Sequence, residues 1–159
     1  MSSLMKVLLI VGGLIALAIV GFIVWVLILP EGGVKLANEM EEYALQHLEE
    51  HKVLNPTEKL IAYYDVTISM TGDESAILTT ERVLYHKQGR TTALALAEVT
   101  DVQHHYETLI GDVILVQGAT GESMKIEIAP MNGGETFLNA LRKAWEHAAP
   151  GRQPPPANP

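Results

Sequence analysis

The sequence predicts a mainly β domain that follows a single N-terminal transmembrane helix. Residues Val7 to Leu29 form an unbroken apolar segment with no charge and no strongly polar side chain. After Pro30 the pattern changes to short alternating segments separated by Gly- and Asn-containing turns, and one amphipathic segment closes it. We therefore divide the chain into an anchor (1–30), an amphipathic linker helix (31–53), a β domain (54–149) and a proline-rich tail (150–159).

The apolar segment is long enough to cross a bilayer. At about 1.5 Å per residue its helix would span roughly 34 Å, against a hydrocarbon core of about 30 Å. Ala16-Leu17-Ala18 has the spacing of a signal-peptidase site, so a cleaved signal peptide is the alternative. Because apolar residues continue beyond that point to Leu29, we expect an uncleaved anchor with Trp25 near the membrane interface.

Small residues in the anchor suggest contact with another helix. Gly12, Ala16 and Gly21 permit two helices to approach closely, so they are candidate partner contacts. The orientation stays open, because Lys6 on one side and Lys35 on the other nearly balance the count of positive charges.

The segment after the hinge at Pro30, Gly32 and Gly33 predicts an amphipathic helix over Val34–Lys52. Its apolar stripe includes Met40 and Leu48, and its polar positions are mostly Glu. A helix on a membrane surface would carry Lys and Arg instead. We expect this helix to pack on protein, either its own domain or a partner, with Met40 and Leu48 as contact candidates.

Seven strands and a closing helix follow. Alternation from Leu60 to Met70 predicts a long half-buried strand. The further predicted strands, which alternate with turns, are Ser75–Thr80, Arg82–Gln88, Thr91–Leu96, Val99–Tyr106, Asp112–Gln117 and Ser123–Ala129. Asn132 predicts the N-cap of a helix over Gly134–His147, with Trp145 on its apolar face and Pro150 at its end.

This order resembles the bacterial pleckstrin-homology-like families, some of which are also similar to the GRAM domain. The resemblance covers roughly Leu54 to Ala148 and rests on segments such as ILTTERVLY and GESMKIEIAP. It implies a seven-stranded sandwich or partly open barrel capped by the C-terminal helix, with Trp145 plugging one end. It also favours the cytoplasmic face of a bacterial inner membrane, with the periplasmic face as the alternative.

Charge excludes some functions of such a fold. After residue 30 the chain has nineteen acidic and ten basic residues, which argues against nucleic acid and anionic lipid as partners. Many pleckstrin-homology domains bind inositol phosphates through a basic first hairpin loop, but here that loop, residues 71–74, is acidic. Lys87 and Arg90 on another hairpin remain as weak candidates for a lipid headgroup. The absence of Cys excludes thiolate catalysis and Cys-based zinc sites.

One segment matches a catalytic motif. His47-Leu48-Glu49-Glu50-His51 fits the inverted zinc-protease pattern H-x-x-E-H, in which two His one helical turn apart face one metal. The sequence shows no second motif that would supply a third ligand, and a solvated helix face is the simpler interpretation. His104 and His105 are adjacent on a predicted strand, so their side chains should point to opposite faces.

The sequence thus predicts a non-enzymatic, membrane-anchored scaffold or accessory subunit without cofactor or metal. Its partners would be other membrane-protein subunits, contacted through the anchor and the helix over 34–52. The alternatives are a lipid or small-ligand sensor and a zinc-dependent enzyme that uses the HLEEH segment.

Overall fold

A computed structural model describes residues 3–28, 32–67 and 69–149. Two compact units lie within it, residues 1–31 and 32–159. The first consists of one helix, α1 (Ser3–Ile28). Its described side chains are Met5 and residues 10–24, and all of them are exposed. Within the part of the chain that the structure describes, no helix is found that is long and apolar enough to cross a membrane.

The second unit is a mainly β domain. Its strands form two antiparallel sheets, sheet A with the order β1-β2-β3-β4-β5 and sheet B with the order β6-β7-β8. The elements, in chain order, are β1 (Lys35–Leu36), α2 (Glu42–Glu50), β2 (Leu60–Asp65), β3 (Glu74–Thr79), β4 (Arg82–Lys87), β5 (Arg90–Ala95), β6 (Val99–Glu107), β7 (Gly111–Gly118), β8 (Ser123–Ile128) and α3 (Gly134–Ala148).

The predicted mainly β domain with a closing helix is confirmed. Strands β2 to β8 correspond to the seven predicted strands, and α3 to the predicted C-terminal helix. The predicted strand over Leu60–Met70 is too long, because β2 ends at Asp65, where the side chain turns back to bind the following loop. Ile68, the side chain of Trp25, Pro30 and the tail from Pro150 lie outside the described residues.

The main core lies between the inner faces of the two sheets and the apolar face of α3. It includes Leu78 and Val83 from sheet A, Ile114 and Ile126 from sheet B, and Phe137 from α3. Trp145 is 2% exposed, and its indole Nε1 donates to the carbonyl oxygen of Val99 at 3.0 Å. The helix is therefore tied to the first residue of sheet B as well as packed on the core.

The predicted helix over Val34–Lys52 is wrong in its first half. Lys35 and Leu36 pair with Tyr63 and Ala62 as the short edge strand β1, and a 3-10 turn covers Ala37–Glu39. Only Glu42–Glu50 is α-helical. The pairing of β1 with β2 satisfies backbone groups at the edge of sheet A, which helical periodicity alone does not anticipate.

The predicted N-cap is also wrong. Gly133 holds that position with a φ of 77°, and Asn132 instead contacts the Tyr64 hydroxyl through Nδ2 at 3.3 Å. A glycine is required at the next position as well. A Cβ on Gly134 would lie 2.4 Å or less from three atoms of the Asp112 side chain, so α3 can begin this close to β7 only without one.

Candidate functional site

Helix α2 packs on the outer face of sheet A, the face away from the main core. Ala44 and Leu48 of α2 bury Tyr63, Ile77 and Leu84 in a second apolar cluster, and Met40 packs against it. Leu48 is 3% exposed. Of the two alternatives for this helix, the chain's own domain is the one observed, so Leu48 has little surface left for a partner. The strands beneath α2 are buried on both faces, whereas alternation predicted a half-buried β2.

Asp65 fixes the loop that passes beside α2. Its carboxylate accepts from the backbone nitrogens of Thr67 and Gly72, each at 2.8 Å, and from the Tyr43 hydroxyl at 3.3 Å. Gly72 has a φ of 78°, and a Cβ there would lie 2.8 Å from Cγ of His47. The loop can therefore approach α2 this closely only with glycine at position 72.

Three histidines meet at the seam between α2 and sheet A. His47 and His51 lie one turn apart on the helix, and their ring centroids are 4.3 Å apart. His86 on β4 lies beneath them, with its centroid 5.3 Å from that of His47 and 5.6 Å from that of His51. The two motif histidines are thus joined by a third from a distant strand. Glu50, the acidic residue of the same motif, accepts from Gln46 Nε2 at 2.8 Å on the exposed surface.

Burial favours the neutral form of His86. Desolvation lowers the pKa of His86, and positive charge on His47 or His51 would lower it further, while Asp73 acts in the opposite direction. Its Nδ1 lies 2.9 Å from the Thr91 hydroxyl, and its Nε2 is buried without a hydrogen-bond partner, as is Nε2 of His47. In the residues described, no three His, Asp or Glu side chains are arranged, as they stand, to hold a metal ion.

His104 and His105, which are adjacent on β6, have different surroundings, as expected for side chains that point to opposite faces of a strand. His104 is half-buried, with Nε2 2.7 Å from Oδ1 of Asp112, and His105 is exposed beside Glu107. These two rings do not share a site.

The weak lipid candidates lie at the tip of the β4–β5 hairpin. Lys87 and Arg90 occupy paired positions across the turn, and both are exposed. The ammonium of Lys87 lies 3.0 Å from a carboxylate oxygen of Glu74, which also accepts from the Tyr85 hydroxyl. Part of the positive charge at this tip is therefore already balanced.

We expect the fragment from Val34 to Pro159 not to bind phosphatidylserine or phosphoinositide vesicles at physiological salt. The acidic domain is repelled by an anionic surface, and each basic side chain contributes only about 1 kcal/mol near it. Sedimentation with vesicles measures this. Micromolar binding that is abolished by Lys87→Glu with Arg90→Glu would replace the scaffold interpretation with the lipid sensor.

An open apolar groove of about 710 Å³ runs between α3 and the edge of sheet A. Leu36 and Ile61 form its wall on the sheet, and Ala140 and Ala144 form its wall on the helix. Polar side chains complete the lining: Thr80, Thr136, Asn139, Lys143 and His147. Among the residues that the structure describes, no acidic side chain lines the groove, although the chain after residue 30 is strongly acidic. Its lining therefore suits a segment that is apolar and carries negative charge.

Apolar side chains are also exposed at the turn between β6 and β7. Leu109 is 94% exposed, and Met131, in the segment before α3, is fully exposed. Val34 donates its backbone N–H to the Asn132 carbonyl oxygen at 2.8 Å, so the first strand of the domain begins beside this segment.

The residues predicted to contact a partner thus lie in two different environments. Gly12, Ala16 and Gly21 are exposed on α1, and no described atom outside the helix backbone lies within 4 Å of a Cβ built on either glycine. Met40 and Leu48 face the domain itself. Sequence reasoning missed His86 and the groove, because both depend on residues brought together from distant segments.

No protein-family model matches the chain. No curated protein is similar enough to it to count as a match.

Proposed function

We propose that this chain is a non-catalytic adaptor, held at a membrane by the segment 7–29, whose β domain binds a partner subunit in the groove between α3 and sheet A. The observation that carries the proposal is the groove itself, since it is open, apolar and lined by a rigid helix and a sheet edge. The occupant would be an apolar segment of a membrane-protein partner that carries at least one carboxylate.

Charge complementarity supports that choice of occupant. Lys143 and His147 lie on the groove side of α3, while Glu135 and Glu146 are exposed elsewhere on the helix and do not line it. A carboxylate in the groove would lie near these basic groups, and an apolar neighbour would cover Ala140 and Ile61. Recognition by burial in a groove with a charged rim is a common way for a domain to bind a segment of another protein.

The fold supports a binding role rather than catalysis. Strands β2 to β5 in sheet A and β6 to β8 in sheet B, followed by one helix, agree with the seven strands and closing helix of a pleckstrin-homology-like domain. We propose that the domain is a sandwich of that kind, with α3 closing one end. A domain of that kind functions by binding other molecules on its surface.

Anchoring is part of the same proposal and rests on the sequence. Residues 7–29 are apolar throughout, and the described side chains of α1 are exposed, as we would expect of a helix that lies in lipid. Gly12, Ala16 and Gly21 would then meet a partner helix in the bilayer. We place the protein in a bacterial inner membrane with the β domain on the cytoplasmic face.

Co-purification of the full chain in mild detergent tests the groove. Asn139→Arg puts a bulky cation into the groove from an exposed position, and we expect it to reduce a stoichiometric partner to a minor fraction. Glu146→Gln is the matched control, because it changes the net charge by the same amount on the same helix outside the groove. Equal recovery of partner with both variants, or a wild-type chain that purifies alone, would contradict the groove as the binding site.

A further inference from the structure

The seam between α2 and sheet A contains three imidazoles of which at least one is almost fully buried. His86 is 2% exposed, and the Nε2 atoms of both His86 and His47 are buried without hydrogen-bond partners. A buried polar atom without a partner costs about 1–3 kcal/mol, so two of them beside a third imidazole require an explanation.

The spacing of the rings suits ligands of a single metal ion. With metal–nitrogen distances of about 2.0–2.1 Å, imidazoles on one tetrahedral ion have ring centres roughly 5 Å apart. The three observed separations are 4.3, 5.3 and 5.6 Å. His51 is exposed at the C-terminal cap of α2, so its ring is less restricted than the buried ring of His86.

The surroundings of His86 resemble those of a metal-binding histidine. The Thr91 hydroxyl lies at hydrogen-bond distance from Nδ1, and in the tautomer whose Nδ1–H donates to it, Nε2 keeps its lone pair. Metal-bound histidines usually donate their second ring nitrogen to a neighbouring oxygen in this way.

We propose that His47, His51 and His86 together bind one divalent transition-metal ion of the zinc type, which fastens α2 to sheet A. No three of the described side chains are arranged to hold a metal ion in this structure, so the proposal requires the ring nitrogens to reorient on binding, which the exposed ring of His51 can do most easily. Imidazole nitrogens favour such ions, whereas Mg²⁺ and Ca²⁺ prefer oxygen ligands. The role is structural, since Glu50 of the H-x-x-E-H motif is engaged with Gln46 at the surface.

Titration of the full-length, chelator-treated protein in detergent with Zn²⁺ tests this site by calorimetry. We expect one equivalent to bind with micromolar affinity or tighter and to raise Tm, and Mg²⁺ to have no effect at the same concentration. His51→Ala removes an exposed ligand without disturbing the core, and we expect it to weaken Zn²⁺ binding by about tenfold or more.

His105→Ala is the matched control, because it removes an equally exposed histidine from strand β6. It should leave the affinity for Zn²⁺ and the increase in Tm unchanged. The proposal is overturned if wild-type protein binds no Zn²⁺ in this range, if His51→Ala binds it as tightly as wild type, or if His105→Ala weakens it equally. His86→Asn gives a second check in which the far-UV spectrum shows whether the fold persists. A folded variant that still binds Zn²⁺ like wild type also excludes the site.

Discussion

Replacing Trp145 by alanine should lower the free energy of unfolding of the β domain by about 3–5 kcal/mol, as large aromatic truncations in cores do. The indole is 2% exposed, packs in the main core and donates to the Val99 carbonyl, so the variant loses both the packing and this hydrogen bond. Domains of this size are stable by roughly 5–15 kcal/mol, so the loss is a large share of the total. Chemical denaturation of the chain from Gly32 onward measures it.

Two variants separate the causes of that loss. Trp145→Phe keeps an aromatic ring but removes the donor to Val99, so it should cost about 1 kcal/mol from the hydrogen bond plus a smaller packing term. His147→Ala, in the same turn but exposed, should change stability little. If the denaturation midpoint of Trp145→Ala equalled that of the wild type within error, Trp145 would not contribute to the core. The proposal that α3 closes the domain would then be wrong.

Placing two arginines in the apolar segment should prevent stable membrane insertion. Each arginine at the centre of a span costs about 2.5–3.5 kcal/mol on insertion scales, so Leu17→Arg with Val20→Arg costs about 5–7 kcal/mol. Extraction of membranes with alkaline carbonate measures the outcome, and the double variant should appear in the soluble fraction or be degraded.

The matched control for the anchor is Leu17→Ala with Val20→Ala, which shortens the same side chains without adding charge. This control should remain in the pellet. If the arginine variant remained fully in the carbonate-washed pellet, residues 7–29 would not be the anchor.

Strand positions in the β domain could be predicted closely, because alternation and turn residues are local signals. The predicted and observed bounds of β3 to β8 differ by no more than one residue at any end. Six of the seven strands and the closing helix are therefore predicted with little error, and β2 is the exception. Their assignment to two sheets depended on the resemblance to a known fold.

The errors have a common cause, which is contact between distant segments. Leu36 lies on the predicted helical stripe, yet it pairs with Ala62 as an edge strand. A half-buried β2 implies one solvated face, but α2 and the loop it contacts bury Tyr63 and Asp65 as well. Periodicity reports the environment of one segment and contains no information on which other segment covers it.

The candidate sites show the same difference between local sequence signals and contacts of distant segments. His47 and His51 were recognisable as a pair because their spacing is local, whereas His86 reaches them only through the docking of α2 on sheet A. His86 follows Val83, Leu84 and Tyr85 in the sequence of β4, and nothing in that segment alone distinguishes it from a solvent-facing histidine. The groove has no local signal either, since its lining comes from β1, β2 and α3 and from Thr80 after β3.

Site-specific photo-crosslinking in native membranes tests the proposed adaptor role most directly. A photoreactive residue at Asn139 should capture one protein of defined mass, and the same residue at Glu146 should not, because only the former lies in the groove. Addition of Lys143→Glu should reduce the yield from position 139 if the occupant carries a carboxylate. Equal crosslinking from both positions, or none from position 139, would contradict a partner in the groove.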